Sequence, residues 1–136
     1  MKITNKLMPD GEQEKLLSHS GPDGPVFMIN LVKFKENATY EDKRSTNLSG
    51  REAYRLYGLE VVKMLPKYNA EVVFGTHITE LIIGEVEELW DEITVVKYAS
   101  RKDLRDMTTS QEWKNINVHR LAGIEGQLNI ESVRPS

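Results

Sequence analysis

Cysteine is absent from this 136-residue sequence. That excludes disulfides, thiolate nucleophiles and thiolate metal sites, and it fits a reducing cytoplasm, the compartment expected here. Histidine is scarce, with three in all, and no HExxH pair occurs. His77 and Glu80 stand three apart, so in a regular strand they point to opposite faces and do not share a metal. No metal and no cofactor are expected. A basic stripe is also missing. Lys and Arg number 18 against 21 Asp and Glu, for a net charge of −3, and the one cluster, Lys97 with Arg101 and Lys102, reads as a solvated helix start. Nucleic acid is therefore not an expected partner. No long apolar run is present, so neither a membrane span nor a signal peptide is expected. No phosphate-binding glycine loop, no Ser/His/Asp order and no internal repeat emerges. Asn37-Ala38-Thr39 and Asn47-Leu48-Ser49 match the glycosylation pattern, but without a secretion signal they read as chance matches.

What is present is the composition of a globular domain, 39% hydrophobic and 29% charged. The length suits one domain, 1–136, able to bury about two thirds of its extended surface. Asp10 caps a short helix to about Ser18, and Gly21-Pro22-Asp23-Gly24-Pro25 is a turn. Val26 to Phe34 is the strongest strand, apolar on both faces, so both should be covered. Lys35 to Leu48 reads as a polar, mobile loop. Ser49 and Glu52 form a capping box for a helix carrying Tyr54, Tyr57, Val61, Leu65 and Tyr68 on one stripe. Pro66 blurs its end. Glu71 to Glu85 reads as a long strand, with Gly75 as a bulge, joined by 85–89 to a strand from Asp91 to Tyr98. Ser100 caps a short helix with Leu104 and Met107. Thr108, Thr109 and Ser110 interrupt it, because their hydroxyls compete for backbone partners. Ser110 caps a second piece with Trp113, Ile116, Leu121 and Ile124, ended by Gly123 or Gly126. Leu128 and Ile130 then alternate with Gln127, Asn129 and Glu131, the period of a half-buried strand.

Setting residues 1–24 aside, the order in 25–136 is β-α-β-β-α-β. This predicts an α+β, ferredoxin-like subunit of four antiparallel strands with helices on one face, plus an extra N-terminal helix. The other sheet face would be bare, and an apolar face of that size marks an interface. The expected assembly is a homodimer with sheets face to face, a dimeric α/β barrel. Its pocket would lie between sheet and helices or between the two sheets.

Several segments carry a resemblance. They are Gly24-Pro25-Val26-Phe27-Met28-Ile29-Asn30-Leu31, Ser49-Gly50-Arg51-Glu52-Ala53-Tyr54, Trp90-Asp91-Glu92, Tyr98-Ala99-Ser100-Arg101, and Ser110-Gln111-Glu112-Trp113 with His119-Arg120. Together they make the chain resemble the family called domain of unknown function 1330, within the dimeric α/β-barrel superfamily. Ala99 stands where such proteins often have proline, and Ala70 where glycine is frequent. The resemblance implies a dimer of ferredoxin-like subunits and no established reaction. The superfamily also holds cofactor-free monooxygenases, muconolactone-type isomerases and haem enzymes.

Candidate site residues follow from chemistry. Asn30 is an amide inside an apolar strand. Either it is paired within the protein or it binds a ligand carbonyl or carboxylate. Asp91 is a candidate general base at a pocket mouth, with Trp90 excluding water, against the plainer reading of a hairpin carboxylate and a core-edge aromatic. His119 is a second candidate proton carrier, and His77 a candidate substrate contact. Both compete with the reading of surface histidines. Tyr57 belongs to a core stripe, yet its hydroxyl can reach a cavity. The expected function is binding, or cofactor-independent proton transfer or oxygenation, of a small hydrophobic carbonyl or carboxylate compound. The alternative is a non-catalytic structural or regulatory module.

Overall fold

The computed structural model describes residues 21–135. The helix expected at 10–18, and His19 after it, lie outside the described residues. The elements are β1 (Val26–Phe34), α1 (Gly50–Met64), β2 (Ala70–His77), β3 (Glu92–Tyr98), α2 (Arg101–Thr108), α3 (Gln111–Gly123) and β4 (Ile124–Ser132), with a 3-10 turn, Leu65–Tyr68, after α1. All strand pairs are antiparallel, in the order β2-β3-β1-β4. This is the α+β, ferredoxin-like arrangement. Among the described residues, no helix is long and apolar enough to cross a membrane.

Local chemistry sets the helix ends. Ser49 accepts from the Glu52 N–H while the Glu52 carboxylate accepts from the Ser49 N–H, the reciprocal box expected. Pro66 ends α1 by passing it into the 3-10 turn, which closes on Asn69 in the left-handed region, φ 53°. Ser100 and Ser110 cap α2 and α3. Between the two helices the hydroxyls of Thr108 and Thr109 accept no new turn; they donate back to the Leu104 and Arg105 carbonyls, at 3.0 and 2.8 Å.

Strand alternation then divides β1. Val26, Met28, Val32 and Phe34 are buried beneath the helices. Val26 and Met28 join Met64, Leu65, Tyr98, Leu104, Met107 and Trp113 in the main core. Phe27, Ile29 and Leu31 point the other way, opposite Val95 and Ile93 of β3 and Ile130 and Leu128 of β4. Among the described residues that face carries no helix, and Phe74 and Ile130 on it are 52% and 44% exposed.

Helices α1 and α3 meet at two glycines. A Cβ on Gly50 would strike the Lys35 and Gly123 backbones, and one on Gly123 would strike the Gly50 carbonyl and the Tyr54 N–H. Ala53 and Ala122 seal the same contact.

Three sequence expectations need correction. The strand expected to reach Glu85 stops at His77, and its bulge lies between Val72 and Phe74 rather than at Gly75. The Asp91 carbonyl accepts the Ile78 N–H at 2.9 Å, which closes the ladder. Beyond it, Leu81, Ile82 and Ile83 have strand-like character but no strand beside them among the described residues; Ile82 and Ile83 are 82% and 90% exposed. The connection is thus the whole of 78–91, not a tight turn at 85–89. The segment 35–48 is pinned: Ala38 donates to the Leu48 carbonyl and Thr39 to the Ala122 carbonyl, both at 3.0 Å, and Tyr40 is buried. Ala38 and Tyr40 pack there against Ala53 and Ala122, with Leu48 beside them. Finally, α3 ends at Gly123, one of the two glycines expected to end it, but Ile124, expected on the helix, already opens β4, whose polar residues take the side opposite to that of an ordinary half-buried strand.

Candidate functional site

Alternation in β4 puts Gln127, Asn129 and Glu131 beneath the helices and Leu128 and Ile130 on the bare face. Register brings Asn30 opposite Asn129 on one side and Thr94 on the other. The middle of the helix-facing sheet surface is therefore polar, within a ring of buried Val26, Met28, Val32 and Phe34. Asn30, Thr94 and Gln127 are only half-buried and Asn129 is exposed. These polar groups are thus partly accessible to water, whereas Val26, Met28, Val32 and Phe34 around them are buried.

Asn30 is saturated. Its Nδ2 donates to the Met28 and Thr94 carbonyls, both at 3.3 Å. Its Oδ1 accepts from Gln127 Nε2 at 2.9 Å and Asn129 Nδ2 at 2.5 Å. An amide has two N–H donors and one carbonyl oxygen with two lone pairs, so each is engaged. Gln127 in turn accepts from Arg120 of α3, at 3.0 Å from Nε and 2.6 Å from Nη2. Arg120 also donates from Nη1 to Asn117 Oδ1 at 3.0 Å.

The wall above this floor is aromatic. Tyr54 lies between Phe34 and Tyr57, with ring centroids 5.4 and 5.6 Å apart, and Tyr57 meets Trp113 edge-on. The Tyr57 hydroxyl accepts from Trp113 Nε1 at 3.1 Å. Burial pushes the pKa of both hydroxyls up, and the nearby Arg120 charge pulls each back in part. Both therefore stay protonated and can serve as hydrogen-bond donors.

The other candidates are distributed around the subunit. His77, 71% exposed in its side chain, ends β2 with Nδ1 3.3 Å from Glu92 Oε2 and 3.1 Å from Arg51 Nη1. Asp91 lines a pocket of about 660 Å3 at the end of the sheet, with Lys33, Lys35, Glu36, Arg51 and Glu125. Its Oδ2 accepts the Phe34 N–H at 2.8 Å and its Oδ1 lies 3.7 Å from Lys33 Nζ. This carboxylate ties β3 to β1, so the bond it makes is across strands rather than within the hairpin. Trp90 is buried, yet its Nε1 has no hydrogen-bond partner among the described residues. Among those residues no group of three or more His, Asp or Glu side chains is placed to hold a metal ion.

His119 lies on the far side of α3, where its Nδ1 and the Tyr40 hydroxyl share a 2.7 Å hydrogen bond. The two rings meet edge-on, and Arg44 covers the Tyr40 ring. Its partner is the pinned 35–48 segment, and Asp91 is bonded elsewhere. The two expected proton carriers are not brought together. Burial, and then the Arg44 charge, hold the imidazole below its ordinary value of 6.5, with Glu60 opposing. The unfolded chain therefore binds this proton more readily than the folded one. Stability is expected to fall as pH drops below 6.5 and to level off below the folded value. Urea melts at about pH 7 and about pH 5 should show this loss, and His119→Gln should reduce it. An unchanged pH dependence in the variant would remove His119 as its source.

Sequence reasoning missed Arg120, Gln127, Asn129 and Tyr54 as cleft residues. A signal existed: Asn30, Thr94, Gln127 and Asn129 fall on one face once the strand register is known.

No protein-family model matches the chain, and no curated protein matches it. Among solved structures, a protein of unknown function from Rhodopseudomonas palustris is 25% identical, with a TM-score of 0.84 over 97% of this chain and 100% of that one. The methylated form of that protein gives 26% identity and a TM-score of 0.87, over 98% of each chain. A dabb family protein with a ferredoxin-like fold from Mesorhizobium loti is 10% identical, with a TM-score of 0.50 over 83% of this chain and 99% of that one. The chain is thus similar throughout its length to a protein of unknown function, and its ferredoxin-like architecture recurs in a distant structure.

Proposed function

We propose that this chain is a homodimeric binding protein for a small, largely apolar organic molecule bearing a carbonyl or carboxylate, held between the helices and the sheet. This reading includes membership of the family it resembles, domain of unknown function 1330. One observation carries it: a polar, partly water-accessible patch of Asn30, Thr94, Gln127 and Asn129 lies on the helix-facing side of the sheet, beside buried Val26, Met28, Val32 and Phe34. A fold of this size gains nothing in stability from a polar centre that a packed apolar one would not supply. Phe34, Tyr54, Tyr57 and Trp113 offer apolar surface above it, and the tyrosine hydroxyls offer polar contacts. Concave, mostly apolar sites with a few convergent polar groups are the usual form of small-molecule pockets.

Binding fits better than proton-transfer catalysis. Asp91 and His119 are bonded to separate partners, and the cleft tyrosines hold their protons. The apolar side chains Phe27, Ile29, Leu31, Ile93, Val95, Leu128 and Ile130, on a face without helices among the described residues, support the homodimer. Trp90 and His77 stand nearer the sheet end than the floor, and the reading gives them no contact with the ligand.

Native mass spectrometry after mild purification tests both parts. The expected spectrum shows twice the chain mass plus a small molecule that denaturation releases. A bare monomer in that spectrum, from protein shown to be folded, would contradict the reading.

A further inference from the structure

We propose that Arg120 is the anchor for a carboxylate group, so that the cleft ligand is an organic acid rather than a neutral carbonyl compound. The inference deepens the small-molecule reading above and rests on it.

Charges on the helix-facing side of the sheet are paired with one exception among the described residues. Glu92 takes Arg51, at 3.7 Å, and His77, at 3.3 Å. Glu131 takes Arg101 in a two-pronged pair, at 2.6 and 2.8 Å. Both carboxylates there have cationic partners. Arg120 has no anionic partner among the described residues. It faces only neutral amide oxygens, those of Gln127 and Asn117. A half-buried guanidinium without a counter-charge is costly, because neutral acceptors replace only part of what water and an anion supply.

Geometry adds to charge. A guanidinium carries five N–H donors. The bonds to Gln127 and Asn117 leave one N–H on each of Nη1 and Nη2 without an acceptor among the described residues. Two such donors match the two oxygens of a carboxylate. Gln127, itself held by Asn30, fixes the guanidinium from the sheet side. Tyr54 stands close enough to feel the Arg120 charge, and its hydroxyl makes no hydrogen bond among the described residues. That hydroxyl is a further donor for an acid oxygen. The stacked rings of Tyr54, Tyr57 and Phe34 would cover the ligand's apolar part.

Calorimetric titration of the purified protein with hexanoate and with hexanamide, its neutral counterpart, tests this. Hexanoate is expected to bind about tenfold or more tightly than hexanamide, a difference of roughly 1.4 kcal/mol or above. Arg120→Gln should abolish that preference, Arg120→Lys should keep part of it, and Tyr54→Phe should weaken hexanoate alone. Lys35→Gln, at the sheet-end pocket, should change nothing. Thermal melts establish that each variant is folded, and Arg120→Lys keeps the test valid if Arg120→Gln does not fold. Equal binding of both compounds, unaffected at Arg120, would overturn the acid assignment and leave the cleft reading standing. Binding of neither would overturn both.

Discussion

Gly123→Ala is expected to destabilise this protein by about 2–3 kcal/mol, because the added methyl enters a contact with no room for it. The methyl would meet the Gly50 carbonyl and the Tyr54 N–H, both backbone groups within α1. A flexible side chain can turn aside, but a helix backbone must move as a unit. The two helices would have to separate, and they carry Tyr54, Tyr57, Trp113 and Arg120 between them. Chemical denaturation should show a lower midpoint with little change in slope. Gly58, whose added Cβ would meet nothing within 4 Å, is the control: Gly58→Ala should hold or raise stability. Equal effects at the two glycines would show that α1 and α3 do not pack as described.

Asn30→Leu carries the second large expectation, a loss of about 1–3 kcal/mol in the ligand-free protein. The substitution changes volume little. It strands Gln127 and Asn129, which donate to Asn30 Oδ1, and it introduces an apolar group on a polar floor. It also frees Gln127 to move, and with Gln127 the Arg120 guanidinium. Stability and ligand retention should therefore fall together. An unchanged melting temperature with ligand lost would mean that Asn30 meets the ligand directly and that its internal bonds contribute nothing.

These residues also show what could be read from sequence. The capping box at Ser49, the serine caps at Ser100 and Ser110, the break at Thr108-Thr109-Ser110 and the βαββαβ order were legible because each depends on residues a few positions apart. The strand end at His77 was not. Ile78, Leu81, Ile82 and Ile83 look like strand by composition, and only the partner at Asp91 decides where pairing stops. The pinning of 35–48 depends on Ala122, more than seventy positions away in the chain and invisible to local pattern. Asn30 stood out at once as an amide in an apolar strand, but its partners come from Thr94, Gln127 and Asn129. In β4 the alternation was plain and its phase was not. A half-buried strand ordinarily turns its apolar side toward the helices, whereas here Leu128 and Ile130 turn away. That reversal puts polar groups inside the subunit and apolar groups on the outer sheet face, and so underlies both the cleft and the proposed dimer. In the sequence Arg120 stands out only within the resemblance, since an arginine on a helix reads as surface until its neighbours are known.

The most direct measurement is an NMR titration with hexanoate, using protein labelled at tyrosine rings and at arginine and lysine side chains. The cleft account expects the Tyr54, Tyr57 and Arg120 resonances to shift together with one affinity, while Tyr40 and Lys35 stay in place. Shifts centred on Lys35, Arg51 and Lys33, with Tyr54 and Tyr57 unmoved, would place binding at the sheet-end pocket and contradict it.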